Sequence, residues 1–449
     1  MSHGPTRLAR LRREVRVTAL LALPLVLGQL SSMAMNFVDT LLAGHYGPIT
    51  LAAIGVGSAL WTVVILVCVG VLMAIPPTVS QLNGAQRRHE IAAVFRQAVW
   101  LASSLGVLLF VLMRFSASWL APLGITEQAR PEAEAFLRAM TWGAPALPMY
   151  FCFRYFSEGI AWTKPTMVFG VGGLLLLLPL GYTLMFRFRM GAAGLGYAYA
   201  LILWLQALCF LAYLRFSKRY ADLELFARFD PPHWSAIREL LRIGVPMGVS
   251  IFMEGSLFVA TALIIGTLGT VPVAAHQIAI IMSSAFFMIP LGIAMATTVR
   301  IGHAVGAEDP SGVRWAAVAG YAITAVMQTV SAAVLVFGGR VLADWITSDV
   351  AVASLATTLM FYAAAFQYPD GLQALSNGAL RGLKDTRIPM YVTVLAYWAL
   401  GMPLGVWFGL HRGLGAPGLW LGLILGLSVA AVLLTWRFWR LARRIVPVT

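Results

Sequence analysis

Apolar residues gather in twelve runs, separated by short connections rich in Gly and Pro. A membrane-spanning helix needs roughly 20 such residues. The runs predict spans near 17–43, 51–80, 92–113, 133–155, 165–186 and 192–215, then near 239–268, 273–299, 314–338, 352–379, 388–409 and 416–437. The longest polar connection, about 218–237, carries Lys218, Arg219, Asp222, Glu224, Arg228, Asp230, Pro231 and Pro232. It divides the chain into a basic tail over 1–16, a first six-helix bundle over 17–217, a linker over 218–237 and a second six-helix bundle over 238–449. The expected fold class is an all-α polytopic membrane protein.

The two halves repeat one another. Moving residues 24–85 forward by 222 positions brings Pro24 onto Pro246, Gly44 onto Gly266, Ala52-Ala53 onto Ala274-Ala275 and Gly84-Ala85 onto Gly306-Ala307. Further on, Ser157 and Gly159 match Ser376 and Gly378, and Gly191-Ala-Ala-Gly194-Leu matches Gly415-Ala-Pro-Gly418-Leu. Six spans per half give both halves one orientation. The expectation is a pseudo-symmetric pair related by an axis along the membrane normal, with a central cleft between them.

Composition agrees with lipid surroundings: 60% of residues are hydrophobic, 11% are charged, and mean hydropathy is +0.82. A net charge of +14 would suggest nucleic acid in a soluble protein. Here the basic residues sit at helix ends and loops, where they meet anionic lipid headgroups, and no nucleic-acid partner is expected. With both termini cytoplasmic, 25 of the 32 Lys and Arg fall inside and 7 outside, the positive-inside bias of twelve spans. The first run follows five arginines but is too long for a signal peptide and lacks a small-residue cleavage site, so it reads as an uncleaved helix. Cys68, Cys152 and Cys209 lie inside apolar runs and supply no disulfide framework.

Against this background three acidic residues stand out: Asp39 in the first span, Glu254 in the seventh and Asp370 in the tenth. An ionisable group in hydrocarbon costs about 3 kcal/mol or more, and it survives by facing a cavity or a partner, usually for function. Each lies on a polar stripe at helical spacing. The first comprises Gln29, Ser32, Asn36 and Asp39; the second Ser250, Glu254 and Thr261; the third Gln367, Asp370, Gln373 and Asn377. No basic residue is expected at comparable depth, so the counter-charge must come from outside as a proton, a sodium ion or a cationic substrate. Hard oxygen ligands from Glu254 and Asp370 suit a small cation such as Na⁺, and two mutually repelling carboxylates suit proton carriage. The sequence leaves Na⁺ and H⁺ open. No Gly-x-x-x-x-Gly-Lys-Ser/Thr loop and no Gly-x-Ser-x-Gly elbow occur, and His89-Glu90 begins a zincin motif whose second His is missing. An enzyme, an ATP-driven engine and a resident cofactor are therefore not expected.

The stretch Asn36-Phe-Val-Asp39-Thr-Leu-Leu-Ala-Gly44 with Leu51-Ala-Ala-Ile-Gly55 resembles the first-helix signature of the multidrug and toxic compound extrusion (MATE) family, in its NorM-type bacterial branch. Gly244-Val-Pro246, Glu254 and Ala274-Ala-His-Gln277-Ile resemble the second-half counterpart, as do Asp370, Gly378-Ala-Leu-Arg381-Gly382 and Lys384-Asp385-Thr386. The resemblance implies a monomeric antiporter of the bacterial inner membrane that exports small drugs and toxic organic cations in exchange for Na⁺ or H⁺. It implies a coupling role for Asp39 and a cation site at Glu254 and Asp370. Gln29, Asn36, Gln277, Tyr368 and Asn377 would then line the substrate path or polar cleft. Two other readings predict different features. A flippase for a lipid-linked precursor needs a wide basic cleft, and a passive channel needs no gradient.

Overall fold

The computed structural model describes residues 7–120 and 127–445, and no strand occurs among them. The helices are α1 (Arg7–Tyr46), α2 (Pro48–Leu72), α3 (Ile75–Gly84), α4 (Arg88–Arg114), α5 (Ala117–Leu120), α6 (Arg130–Thr141), α7 (Ala146–Gly159), α8 (Lys164–Tyr182), α9 (Gly191–Phe216), α10 (Trp234–Gly266), α11 (Thr270–Gly306), α12 (Pro310–Ile346), α13 (Val350–Gly382), α14 (Arg387–Val394), α15 (Met402–Val406) and α16 (Ala416–Arg444). Proline opens the first turn of α2, α3, α6, α8, α12, α15 and α16, where its missing N–H is not needed. Asp309 and Asp349 cap α12 and α13 by accepting backbone N–H bonds from Gly312 and from Ala351 and Val352.

Among the described residues, eleven helical stretches are long and apolar enough to cross a membrane. The chain is a multi-pass membrane protein. The expected fourth span, 133–155, is not among these eleven stretches. It is broken into α6 and α7 by a turn over Trp142, Gly143, Ala144 and Pro145, because proline has no N–H to extend the helix. The expected second span breaks in the same way at Met73 and Ala74, just before Pro76 and Pro77. The eleventh runs through α14 and α15 with π-helical turns at Leu395–Gly401 and Trp407–His411.

By its contacts the chain forms two compact units. One comprises Leu27–Gly248. The other takes the described residues up to Val26 together with those from Val249 onward. The division falls inside α1 and inside α10, at Val26/Leu27 and Gly248/Val249, which are the same place in each repeat at the offset of 222. The residues of the expected linker are held within the first unit. Arg96 forms a salt bridge with Asp230, Gln97 accepts from the His233 N–H at 2.7 Å, and the Tyr220 hydroxyl meets Ser157 Oγ at 2.7 Å. In the second unit Trp420 lies edge-on to Phe366, with Leu257, Leu359 and Leu427 in the same fully buried cluster.

Matched glycines explain the repeat physically. Gly70 on α2 packs against the α10 backbone, so a Cβ there would sit 2.3 Å from Gly248 Cα. Its repeat mate Gly292 on α11 packs against α1, where a Cβ would sit 2.8 Å from Val26 N. Each therefore touches the point at which the division falls. Gly191 and Gly415 take the left-handed backbone at φ 54° and 63°, and three residues later Gly194 and Gly418 press on the backbones at Leu184 and Phe408. Both of those lie in matched π-helical turns, Thr183–Arg187 and Trp407–His411. Small residues that admit such close backbone approach replace the hydrophobic driving force absent between helices in lipid.

Gly70→Ala and Gly292→Ala are each expected to lower the thermal unfolding midpoint of the detergent-purified protein, at a cost of about 1–3 kcal/mol from overpacking. Gly55→Ala, whose Cβ would meet nothing within 4 Å, is expected to leave the midpoint unchanged.

Candidate functional site

Glu254 on α10 and Asp370 on α13 lie within one unit and border the same cavity, of about 160 Å³. Phe258, Ile280, Ser283, Ser284, Phe287 and Phe366 complete its wall. The volume holds several waters, since one needs roughly 10–15 Å³ by this measure. Asp370 is 3% exposed, and Glu254 is partly open to the cavity. The two carboxylates repel one another, and Arg381 attracts Glu254. The sequence-based expectation of no deep basic influence is corrected to that extent. Among the described residues no cluster of three or more His, Cys, Asp or Glu is present. A cation here would take two carboxylates and complete its shell with neutral oxygens or water.

Two such oxygen carriers are Gln373, which the sequence places on the Asp370 stripe, and Tyr397, which the sequence does not single out. Gln373 lies against both Glu254 and Tyr397, and Tyr397 feels the charge of Glu254 and Asp370. Gln373 and Tyr397 are 1% and 0% exposed. Neither the Gln373 carboxamide nor the Tyr397 hydroxyl has a well-aligned hydrogen-bond partner among the described residues. Gln373 stood on the Asp370 stripe and was legible. Tyr397 sits on the π-helical turn of the eleventh span, where nothing in the sequence separates it from a belt aromatic.

The first-span acid has a different setting, in the other unit. Asp39 is 7% exposed, and its Oδ2 accepts from the Tyr199 hydroxyl on α9 at 2.6 Å. Its Oδ1 has no partner among the described residues. The remainder of its stripe does not act together. Asn36 and Ser32 are exposed, while Gln29 accepts from Arg154 Nη2 at 3.0 Å. Arg154 Nε in turn donates to Glu158 at 2.8 Å, as does Thr166 Oγ1 at 2.8 Å. Arg154 and Glu158 are both buried. Neither residue is singled out by the spans expected from the sequence, since Glu158 falls just beyond the end of the fourth one. Their i, i+4 spacing within an apolar run was the available signal.

Three expected lining residues lie away from the acid pair. Tyr368 is 47% exposed on another face of α13, with its hydroxyl 3.4 Å from Thr329 Oγ1. Gln277 is exposed on α11, beside a buried His276 that accepts from Trp420 Nε1 at 3.2 Å. Asn377 is partly buried, and its carbonyl accepts from Arg381 Nε at 3.2 Å. None of the three borders the acid cavity. The helical period explains Tyr368: two positions from Asp370 is about 200° around the helix axis.

The Arg154–Glu158 pair is expected to behave as a closed structural contact. Arg154→Met or Glu158→Gln alone should destabilise the protein by about 3–5 kcal/mol, while Arg154→Met with Glu158→Met should recover most of the loss, as read by thermal unfolding in detergent.

The chain is similar over its length to known proteins. The MatE family model matches the chain twice, over residues 24–183 and 246–407, in the register of the internal repeat. A protein named probable multidrug resistance protein NorM from Xanthomonas campestris pv. campestris is 52% identical over 446 residues, covering 98% of this chain and 97% of its own. Multidrug resistance protein PmpM of Pseudomonas aeruginosa is 37% identical over 97% of this chain and 94% of its own. Among solved structures, an outward-facing multidrug resistance MATE family transporter superposes with a TM-score of 0.90 at 19% identity, covering 99% of each chain. The eukaryotic MATE transporter AtDTX14 superposes with a TM-score of 0.87 at 21% identity, covering 97% of this chain and 99% of its own. The duplicated model match and the full-length relatives together establish that the chain belongs to the MatE family.

Proposed function

We propose that this protein is a secondary active multidrug efflux antiporter of the bacterial inner membrane, with both termini cytoplasmic. It exports small amphipathic cations in exchange for Na⁺ or H⁺ and acts as a monomer without a resident cofactor. The observation that carries this reading is the pair Glu254 and Asp370 bordering a cavity inside an apolar bundle. Charge exposed there must be matched by something that enters and leaves, and a coupling cation or an organic cation meets that need. The multidrug resistance names of the relatives support drugs as the cargo. An acidic cavity disfavours the flippase reading, which requires cations to hold a pyrophosphate.

The reaction we assign is alternating access between the two repeats. A cation from the outer side enters the Glu254–Asp370 cavity and favours the state that releases drug outward. Its departure to the inner side favours the state that takes up drug. Driving energy is sufficient. One charge crossing 100 mV releases about 2.3 kcal/mol, and a tenfold gradient adds about 1.4 kcal/mol. Exchange of one monovalent drug for one monovalent cation is electroneutral and draws on the chemical gradients alone.

Everted membrane vesicles test the assignment. With a Na⁺ or pH gradient imposed separately, one of them should drive uptake of a cationic dye by the wild type. Glu254→Gln and Asp370→Asn should each cut gradient-driven uptake about tenfold or more. Full coupled transport in both variants would remove the pair from the mechanism.

A further inference from the structure

The turn of α13 that carries Asp370 is held from outside its own helix. Pro369 lies within it and removes one backbone hydrogen bond. On one side, Gln367 Nε2 donates to Ser283 Oγ on α11 at 3.1 Å, and Ser283 shares the acid cavity with Asp370. On another, Gln328 of α12 donates from Nε2 to the Gln367 backbone carbonyl. Gln328 is 1% exposed, and its carboxamide lies across Gly371, where a Cβ would come within 2.5 Å of Nε2 and 2.7 Å of Cγ.

Part of the turn borders open volume. Tyr368, Pro369 and Leu372 face a second cavity of about 440 Å³, whose wall also includes Thr324 and Gln328. Free volume on one face and a missing helix bond within leave the turn room to shift. A directed hydrogen bond then sets where it rests, because buried backbone acceptors are satisfied specifically. Gly371 is the residue that lets the donor approach. Gln328 touches neither carboxylate in any hydrogen bond and does not border the acid cavity.

We propose that Gln328 is a positioning residue for the coupling site: it tethers the Pro369–Asp370 turn to α12 and thereby sets how Asp370 is presented to the cation. The proposal rests on the reading of Glu254 and Asp370 as that site. Gln328→Leu keeps the side-chain bulk and removes the donor. In reconstituted vesicles it should raise the Na⁺ or H⁺ concentration needed for half-maximal dye transport by about three- to tenfold. Maximal rate at saturating cation should stay near wild type, and the thermal unfolding midpoint should fall only by the modest amount expected for one lost buried hydrogen bond. Gln328→Met should do the same, and Gly371→Ala should reproduce the shift by forcing the carboxamide aside. Thr324→Val, on the same cavity wall, should leave the cation dependence unchanged.

A wild-type cation titration in Gln328→Leu and Gln328→Met overturns the proposal. So does failure of both variants to yield folded protein, which would assign Gln328 to stability alone. The parent reading fails separately, when Glu254→Gln and Asp370→Asn retain coupling. Loss of coupling in those two with no shift at Gln328 leaves the site standing and removes the tether.

Discussion

A charge placed among apolar helices must be matched, and this protein meets that requirement in two ways. In the unit Leu27–Gly248, Arg154 and Glu158 neutralise one another and are further hydrogen-bonded to Gln29 and Thr166. In the other unit, Glu254 and Asp370 repel one another beside open volume. The first arrangement is already charge-matched within the fold. The second requires a counter-charge, and beside it lie two neutral oxygen carriers, Gln373 and Tyr397, with no well-aligned hydrogen-bond partner among the described residues. The same physical constraint therefore separates a matched ion pair from the pair proposed here as the cation site.

The scaffold that holds these groups depends on backbone proximity more than on side-chain bulk. Lipid gives helices little hydrophobic reason to associate, so contact must come from close packing and directed hydrogen bonds. Gly70 and Gly292 supply the first at matched places in the two repeats. Gln328 and Gln367 supply the second around the turn bearing Asp370. Breaks in the helices belong to the same design. The interruptions at Met73–Ala74 and Trp142–Pro145 and the π-helical turns lie where proline or glycine releases the regular ladder.

Much of this was legible in the sequence, because a bilayer imposes a length on apolar runs and a penalty on charge. The spans and the acids Asp39, Glu254 and Asp370 follow from those two rules, and the duplication from residues matched at an offset of 222. What stayed hidden depends on which face of a helix meets which neighbour. Gln29 shares a stripe with Asp39 yet bonds to Arg154, and Tyr368 adjoins Asp370 in sequence while lying on another face. Tyr397 carries no local signal, since its position depends on a π-helical turn. Glu158 was readable from its spacing to Arg154, but its place at a helix end suggested solvent.

The most direct test of the account is simultaneous measurement of drug and cation movement by purified protein in liposomes, with dye fluorescence and an ion-sensitive probe recorded together. Each dye molecule carried one way should be accompanied by net Na⁺ or H⁺ movement the other way, and replacing both Glu254 and Asp370 by their amides should abolish the two fluxes together. Dye transport without any opposing cation flux, or opposing fluxes that survive the double replacement, would contradict it.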